Sequence, residues 1–303
     1  MTTITGVYNI MATPFHDDGR IDWDSLQTLV EFQLARDAYG LTILGVLGEA
    51  AKLSVDERRQ VMERVVETVA GRVPVVVGVS HAETATVIAL SKAAFAVGCA
   101  GVMIAPPRFD AQPDDDTLFR LYADYAAGFD GPIIVQDFPP VNGVILSPDV
   151  LARIAENIPS ARYLKLEDPP LMQKISAIRE RTDQFAIFGG LGGMFFLEEL
   201  ERGAAGTMTG FAFTEILVAV YRAFLAGDLG TAQSIFDRYL PLIRFENQPV
   251  INLTIRKELL RRRGAMASAA LRPPFAPIDA GTHHEINRVL ERVGIHDPHA
   301  KVI

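Results

Sequence analysis

Val73-Pro74-Val75-Val76-Val77-Gly78-Val79 is a β-branched run, followed by a helical pattern over 82–98 and a second short apolar run, Gly101-Val102-Met103-Ile104-Ala105. Strand, helix, strand in that order is what a parallel pair needs, because parallel neighbours can be joined only by a crossover long enough to hold a helix. The same unit recurs on both sides. Further strand-like runs are Val7–Ala12, Leu41–Val46, Ile133–Asp137, Tyr163–Glu167, Ala186–Gly189 and Gly206–Thr209. Helical patterns are expected at 23–39, 54–71, 116–129, 147–157, 170–182, 193–202 and 213–227. Two starts are well marked: Ser54-Val55-Asp56-Glu57 reads as a capping box, and Ser147-Pro148 puts a capping hydroxyl before a proline. Eight such units predict an α/β fold, a closed (β/α)8 TIM barrel. The alternative, an open doubly wound sheet, lacks its dinucleotide loop: Gly189-Gly190-Leu191-Gly192-Gly193 has no third glycine at the required spacing. Beyond residue 227 only helices are expected, at Thr231–Glu246, Pro249–Arg263 and His283–Val293. The predicted organisation is a barrel over 1–227 with a helical extension, 228–303, packed on it.

Composition narrows the function. The chain has 303 residues, 29 basic and 37 acidic, a formal charge of −8. An acidic balance argues against a nucleic-acid partner. Cys99 is the single cysteine, which excludes an intramolecular disulfide and a cysteine-rich metal site. No basic residue precedes Arg20, and the longest apolar run, Ala93 to Pro107, is too short for a bilayer. A soluble, cytoplasmic protein without membrane partners is expected.

Reacting groups of such barrels sit at the C-terminal ends of strands. In the sixth run, alternation puts Tyr163, Lys165 and Glu167 on one face and Leu164 and Leu166 on the other. The leucines suit the helix layer, so Lys165 and Glu167 point inward. Burial disfavours an ammonium and favours the neutral amine that attacks a carbonyl. Glu167 can then move protons beside it, or the two can form an inert ion pair. Gln136 shares the inward face of the fifth run with Ile134, and Asp137 reads as a structural cap. Glycines around Val46-Leu47-Gly48-Glu49 either expose backbone amides to a carboxylate or merely make a tight turn. Gly189 and Gly190 clear space at one strand end, Met208 and Thr209 lie at another, and His81 follows the third run as a hydrogen-bonding candidate or a structural partner. The histidines show no metal-ligand spacing, and no metal site is expected.

Over nearly its full length the chain resembles the dihydrodipicolinate synthase/N-acetylneuraminate lyase family of class I Schiff-base lyases. Carrying the resemblance are Ala12-Thr13-Pro14-Phe15, Gly48-Glu49 leading into Leu53-Ser54-Val55-Asp56-Glu57-Arg58, the Lys165 strand, Gly203-Ala204-Ala205-Gly206 and the helical tail. The resemblance implies the barrel, a homotetramer, and Lys165 as the amine that condenses with a small 2-oxo acid. It implies no metal or organic cofactor beyond the imine on Lys165. Three departures choose a branch. Val46 and Leu47 stand where the family usually has two threonines, Gln136 where it has a tyrosine, and Val141 where the synthase has an arginine. Val135-Gln136-Asp137-Phe138-Pro139, Lys165-Leu166-Glu167, Gly206-Thr207-Met208-Thr209-Gly210 and Leu240-Pro241-Leu242-Ile243 with Glu246-Asn247 are similar to the 2-keto-3-deoxy sugar-acid dehydratases, L-2-keto-3-deoxyarabonate dehydratase in particular. The expected catalytic set is Lys165, Glu167 and Gln136. The expected substrate contacts are Val46, Leu47, Gly48, Glu49, His81, Gly189, Gly190, Met208 and Thr209. Dehydration is the expected reaction; a pyruvate-releasing aldolase and a non-catalytic sugar-acid sensor are the alternatives.

Overall fold

Period-two alternation along eight short strands builds the core. The computed structural model describes residues 4–303. Strands β1 (Gly6–Ile10), β2 (Gly40–Ile43), β3 (Val75–Gly78), β4 (Gly101–Ile104), β5 (Ile133–Asp137), β6 (Tyr163–Leu166), β7 (Ala186–Gly189) and β8 (Gly206–Thr209) pair in chain order. All pairs are parallel, and β8 returns to β1, so the expected (β/α)8 barrel is closed. One side-chain set, including Tyr8, Ile10, Val76, Met103, Ile134, Phe188 and Met208, fills the bore. The other, including Val7, Leu41, Val77, Val102, Val135, Leu164 and Ile187, packs under the helices. Closure needs glycine at the seam, where a side chain on Gly206 would overlap the Gly6 backbone.

The barrel helices are α1 (Trp23–Leu34), α2 (Val55–Val69), α3 (Thr84–Ala96), α4 (Asp115–Gly128), α5 (Pro139–Asn142), α6 (Pro148–Asn157), α7 (Leu171–Arg179), α8 (Phe196–Glu201) and α9 (Thr214–Leu225). Both marked starts form: Ser54 and Glu57 exchange capping hydrogen bonds, and Ser147 caps α6 with Pro148 in its first turn. Strand two is shorter than expected. Leu44 turns to a φ of 56°, and Val46–Gly48 becomes a single 3-10 turn. The reason lies in the neighbouring strand, where Gly78 lacks a side chain and the Leu44 carbonyl occupies the space. The turn α5 was not expected at all; Pro139 and Pro140 supply its fixed φ angles.

The tail is helical as expected, with α10 (Leu229–Glu246), α11 (Asn252–Arg262) and α12 (Ala280–Arg292). The last begins before His283 because Asp279 caps it through the Thr282 amide. Buried ion pairs fasten this tail to the barrel. Arg263 bonds Glu215 of α9 at 2.5 Å and the Ala212 carbonyl at 2.6 Å. Lys257 reaches Glu49 at 2.6 Å, in the loop after β2. Arg272 pairs with Glu57 of α2. Among the described residues no helix is long and apolar enough to cross a membrane.

Candidate active site

Gln136 of β5 lies in register beside Lys165 of β6, and Lys165 beside Phe188 of β7. Ile134 and Phe188 are bore residues, so alternation sends Gln136 and Lys165 inward as well. Glu167, one residue past β6, returns to the same side. Lys165 Nζ sits 2.8 Å from Glu167 Oε2. The Gln136 side-chain amide donates to that same oxygen at 2.9 Å. All three are at least nineteen-twentieths buried, at 3%, 4% and 5% exposure for Lys165, Glu167 and Gln136. The Phe138 ring centroid is 5.9 Å from Lys165 Nζ. Gly190 is glycine for a steric reason: a side chain there would overlap the Glu167 carboxyl.

Lys165, Glu167, Gln136 and Phe138 face a cavity of about 790 Å³ at the C-terminal rim of the barrel, whose lining does not include Gly48 or Gly190. Val46, Leu47, Glu49, Met208 and Thr209 also line it, and the tail adds Asn247, Asn252, Thr254 and Phe275. An amine touching a carboxylate at the floor of a cavity can capture a carbonyl and shift protons next to it. The remaining expected contacts divide. The Gly48, Glu49 and Ala50 amides bond back to the Gly45 and Val46 carbonyls, so among the loop amides Val46 and Leu47 are those able to meet a ligand. Glu49 lines the cavity, but its carboxylate is engaged by Lys257, Lys52 and the Arg272 amide. Its geometry is that of an anchor for the tail. His81 lies outside the cavity lining; its Nδ1 accepts from the Glu83 amide at 3.1 Å, which makes it a turn partner. Gly189 also faces away, toward the helix layer. Asp137, expected as a cap, instead contacts Lys174 of α7 at 2.5 Å. Burial pushes the Asp137 carboxyl up to about 6, against the pull of Lys174.

One buried acid had no expectation attached to it. Glu199 of α8 is 1% exposed, and its carboxyl fills the space that a Gly189 side chain would take. Its Oε2 has no hydrogen-bond partner among the described residues. Burial first, then the charges of Glu198 and Glu167, push it up to about 8, so it is protonated at neutral pH. The Gly189-Gly190 pair is the trace that sequence reading could have followed, since two missing side chains imply two close neighbours. Among the described residues, no group of three or more His, Cys, Asp or Glu could hold a metal ion.

Known proteins share this sequence and shape. The sequence matches the dihydrodipicolinate synthetase family over residues 3–293. It is 33% identical to an L-2-keto-3-deoxyarabonate dehydratase of Azospirillum brasilense, covering 95% of this chain and 94% of the relative. It is 32% identical to a 4-hydroxy-tetrahydrodipicolinate synthase of Sorangium cellulosum, covering 96% of each. The crystal structure of a dihydrodipicolinate synthase from Rhodopseudomonas palustris superposes with a TM-score of 0.90 at 36% identity, covering 95% of this chain and 97% of that one. With matching sequence, fold and length, the chain belongs to the dihydrodipicolinate synthetase family, a family of lyases.

Proposed function

We propose that the chain is a Schiff-base-forming lyase that dehydrates a 2-keto-3-deoxy sugar acid. The observation that carries this reading is the carboxylate of Glu167 held 2.8 Å from Lys165 Nζ, with Gln136 where the family usually has a tyrosine. In the proposed sequence Glu167 takes a proton from Lys165, the neutral amine adds to C2, and that proton is returned as water leaves, giving an iminium beside a Glu167 carboxylate. The cationic nitrogen acidifies C3, and Glu167 takes a C3 proton to form the enamine. The enamine electrons return and expel the C4 hydroxyl, which leaves as water with the proton from Glu167. Hydrolysis then frees Lys165 and the dehydrated 2-oxo acid. Lys165 supplies the electron sink itself, so the scheme calls for no metal or organic cofactor. Gln136 orients the carboxylate, and the Val46 and Leu47 amides are proposed to bind the acid end of the substrate. The assembly proposed from the resemblance is a cytoplasmic homotetramer.

Identity to the Azospirillum dehydratase supports this branch. Supporting the aldolase reading, in which C3–C4 breaks and pyruvate is released, are the synthase relatives. A panel of 2-keto-3-deoxy acids separates them. Dehydration yields a product lighter by one water and no substrate for lactate dehydrogenase. Pyruvate appearing in the coupled assay, with no dehydrated product, would transfer the assignment to the aldolase.

A further inference from the structure

We propose that Lys174 is a positioning residue, which from outside the barrel wall holds the ends of β5 and β6 so that Gln136 stays against Glu167 inside. The inference rests on Glu167 as the C3 base, proposed above. Each inner side chain is followed directly by an aspartate, Gln136 by Asp137 and Glu167 by Asp168. Alternation turns the aspartates the other way, and both converge on one cation. Lys174 Nζ lies 2.5 Å from Asp137 Oδ2 and 2.6 Å from Asp168 Oδ2. Between the two layers the Glu167 amide donates to the Asp137 carbonyl at 2.8 Å. The two strand ends are thus tied three times: inside by the Gln136–Glu167 bond, through the backbone, and outside by Lys174.

Asp137 is fully buried, and Lys174 is the only cation that touches it among the described residues. Two carboxylates brought together without that cation repel each other and must either neutralise or separate. With the bridge gone, through that repulsion or through loss of the outer tie alone, the β6 end is free to draw away from β5 and carry Glu167 off the proton it has to remove. Misplacing a reacting group by about 1 Å is enough for a loss on the order of a hundredfold. The amine has no such dependence, because Lys165 lies within β6 and is held by its own ladder.

The test separates imine formation from proton abstraction, with pyruvate as the probe. Borohydride trapping reads the first, and uptake of solvent deuterium at pyruvate C3 reads the second. Lys174→Met alone leaves Asp137 buried without a partner and can fail to fold, so the informative variant is the double replacement Asp137→Asn with Lys174→Met, which removes the cation and one of its two carboxylates and so cuts the outer tie without leaving two carboxylates face to face. The expected result is trapping at the wild-type rate with deuterium uptake lowered at least about tenfold. Lys174→Arg is expected to keep uptake within about threefold of wild type, since the cation is retained. Undiminished uptake in the double variant, parallel loss of trapping and uptake, or failure of Lys174→Arg to preserve uptake would each overturn the role. A wild-type protein that traps pyruvate but takes up no deuterium would instead remove Glu167 as base and this inference with it, a failure visible before any variant is made.

Discussion

Lys165 and Lys257 are both buried, and each touches a glutamate, at 2.8 Å and 2.6 Å. Their surroundings differ in what is left unused. Lys257 gives all three of its protons to protein acceptors: the Thr13 carbonyl, the Ala270 carbonyl and Glu49. It is a closed site, and it joins the tail to the loop after β2. Burial lowers its ammonium to about 8, although Glu49 pulls the other way. Lys165 contacts only Glu167 among the carboxylates of the described residues and faces the cavity with the rest of its nitrogen. A buried lysine whose donors are all satisfied serves the fold, whereas one with a free side and an open volume is available for chemistry.

The sharpest break between the two should come from removing each amine. Lys165→Met is expected to abolish turnover in the folded protein, with a loss of more than about 10³-fold, while Glu167 keeps its Gln136 hydrogen bond. Next in size is Glu167→Gln, expected to lower turnover by roughly 10²- to 10⁴-fold while a 2-oxo acid is still trapped on Lys165. Turnover equal to wild type in that variant would reject the base. Lys257→Met should reverse the pattern. It leaves the Thr13 and Ala270 carbonyls without that donor and Glu49 with only Lys52 and the Arg272 amide, with an expected loss of about 2–5 kcal/mol in denaturant unfolding, and the folded fraction should still trap the 2-oxo acid on Lys165.

The smallest effect on turnover is expected at Glu199, behind the reactive pair, where the readout is stability against pH. Its folded value of about 8 lies above its ordinary 4.5, so the native state keeps a proton that the unfolded chain releases between those values. Its contribution to stability is full below pH 4.5 and is lost as pH rises through about 8. Glu199→Gln removes this titration. Melting curves of the variant should therefore decline less between pH 5 and 8 than those of wild type, with a gap on the order of 5 °C at the upper end.

Much of this was legible in the chain. Alternation in Tyr163–Glu167 predicts an inward Lys165 and Glu167, and repeated strand–helix units predict the barrel, because both signals are local and periodic. The bend at Leu44 was not legible, since it depends on Gly78 of the adjacent strand leaving room for a carbonyl. His81 follows a strand directly, yet nearness in sequence says nothing of direction, and its ring turns back to its own loop. Glu49 reads as a ligand contact until Lys257, 208 residues away, is seen beside it. Lys174 and Glu199 were invisible for a related reason: a charged residue on an amphipathic helix reads as solvent-facing, and only the assembled barrel shows what each is pressed against.

The most direct test is borohydride reduction in the presence of pyruvate, with the modified peptide sequenced by mass spectrometry. The assignment predicts one covalent adduct, on Lys165, that disappears in Lys165→Met. An unmodified protein, or an adduct on Lys257 with Lys165 untouched, would contradict it.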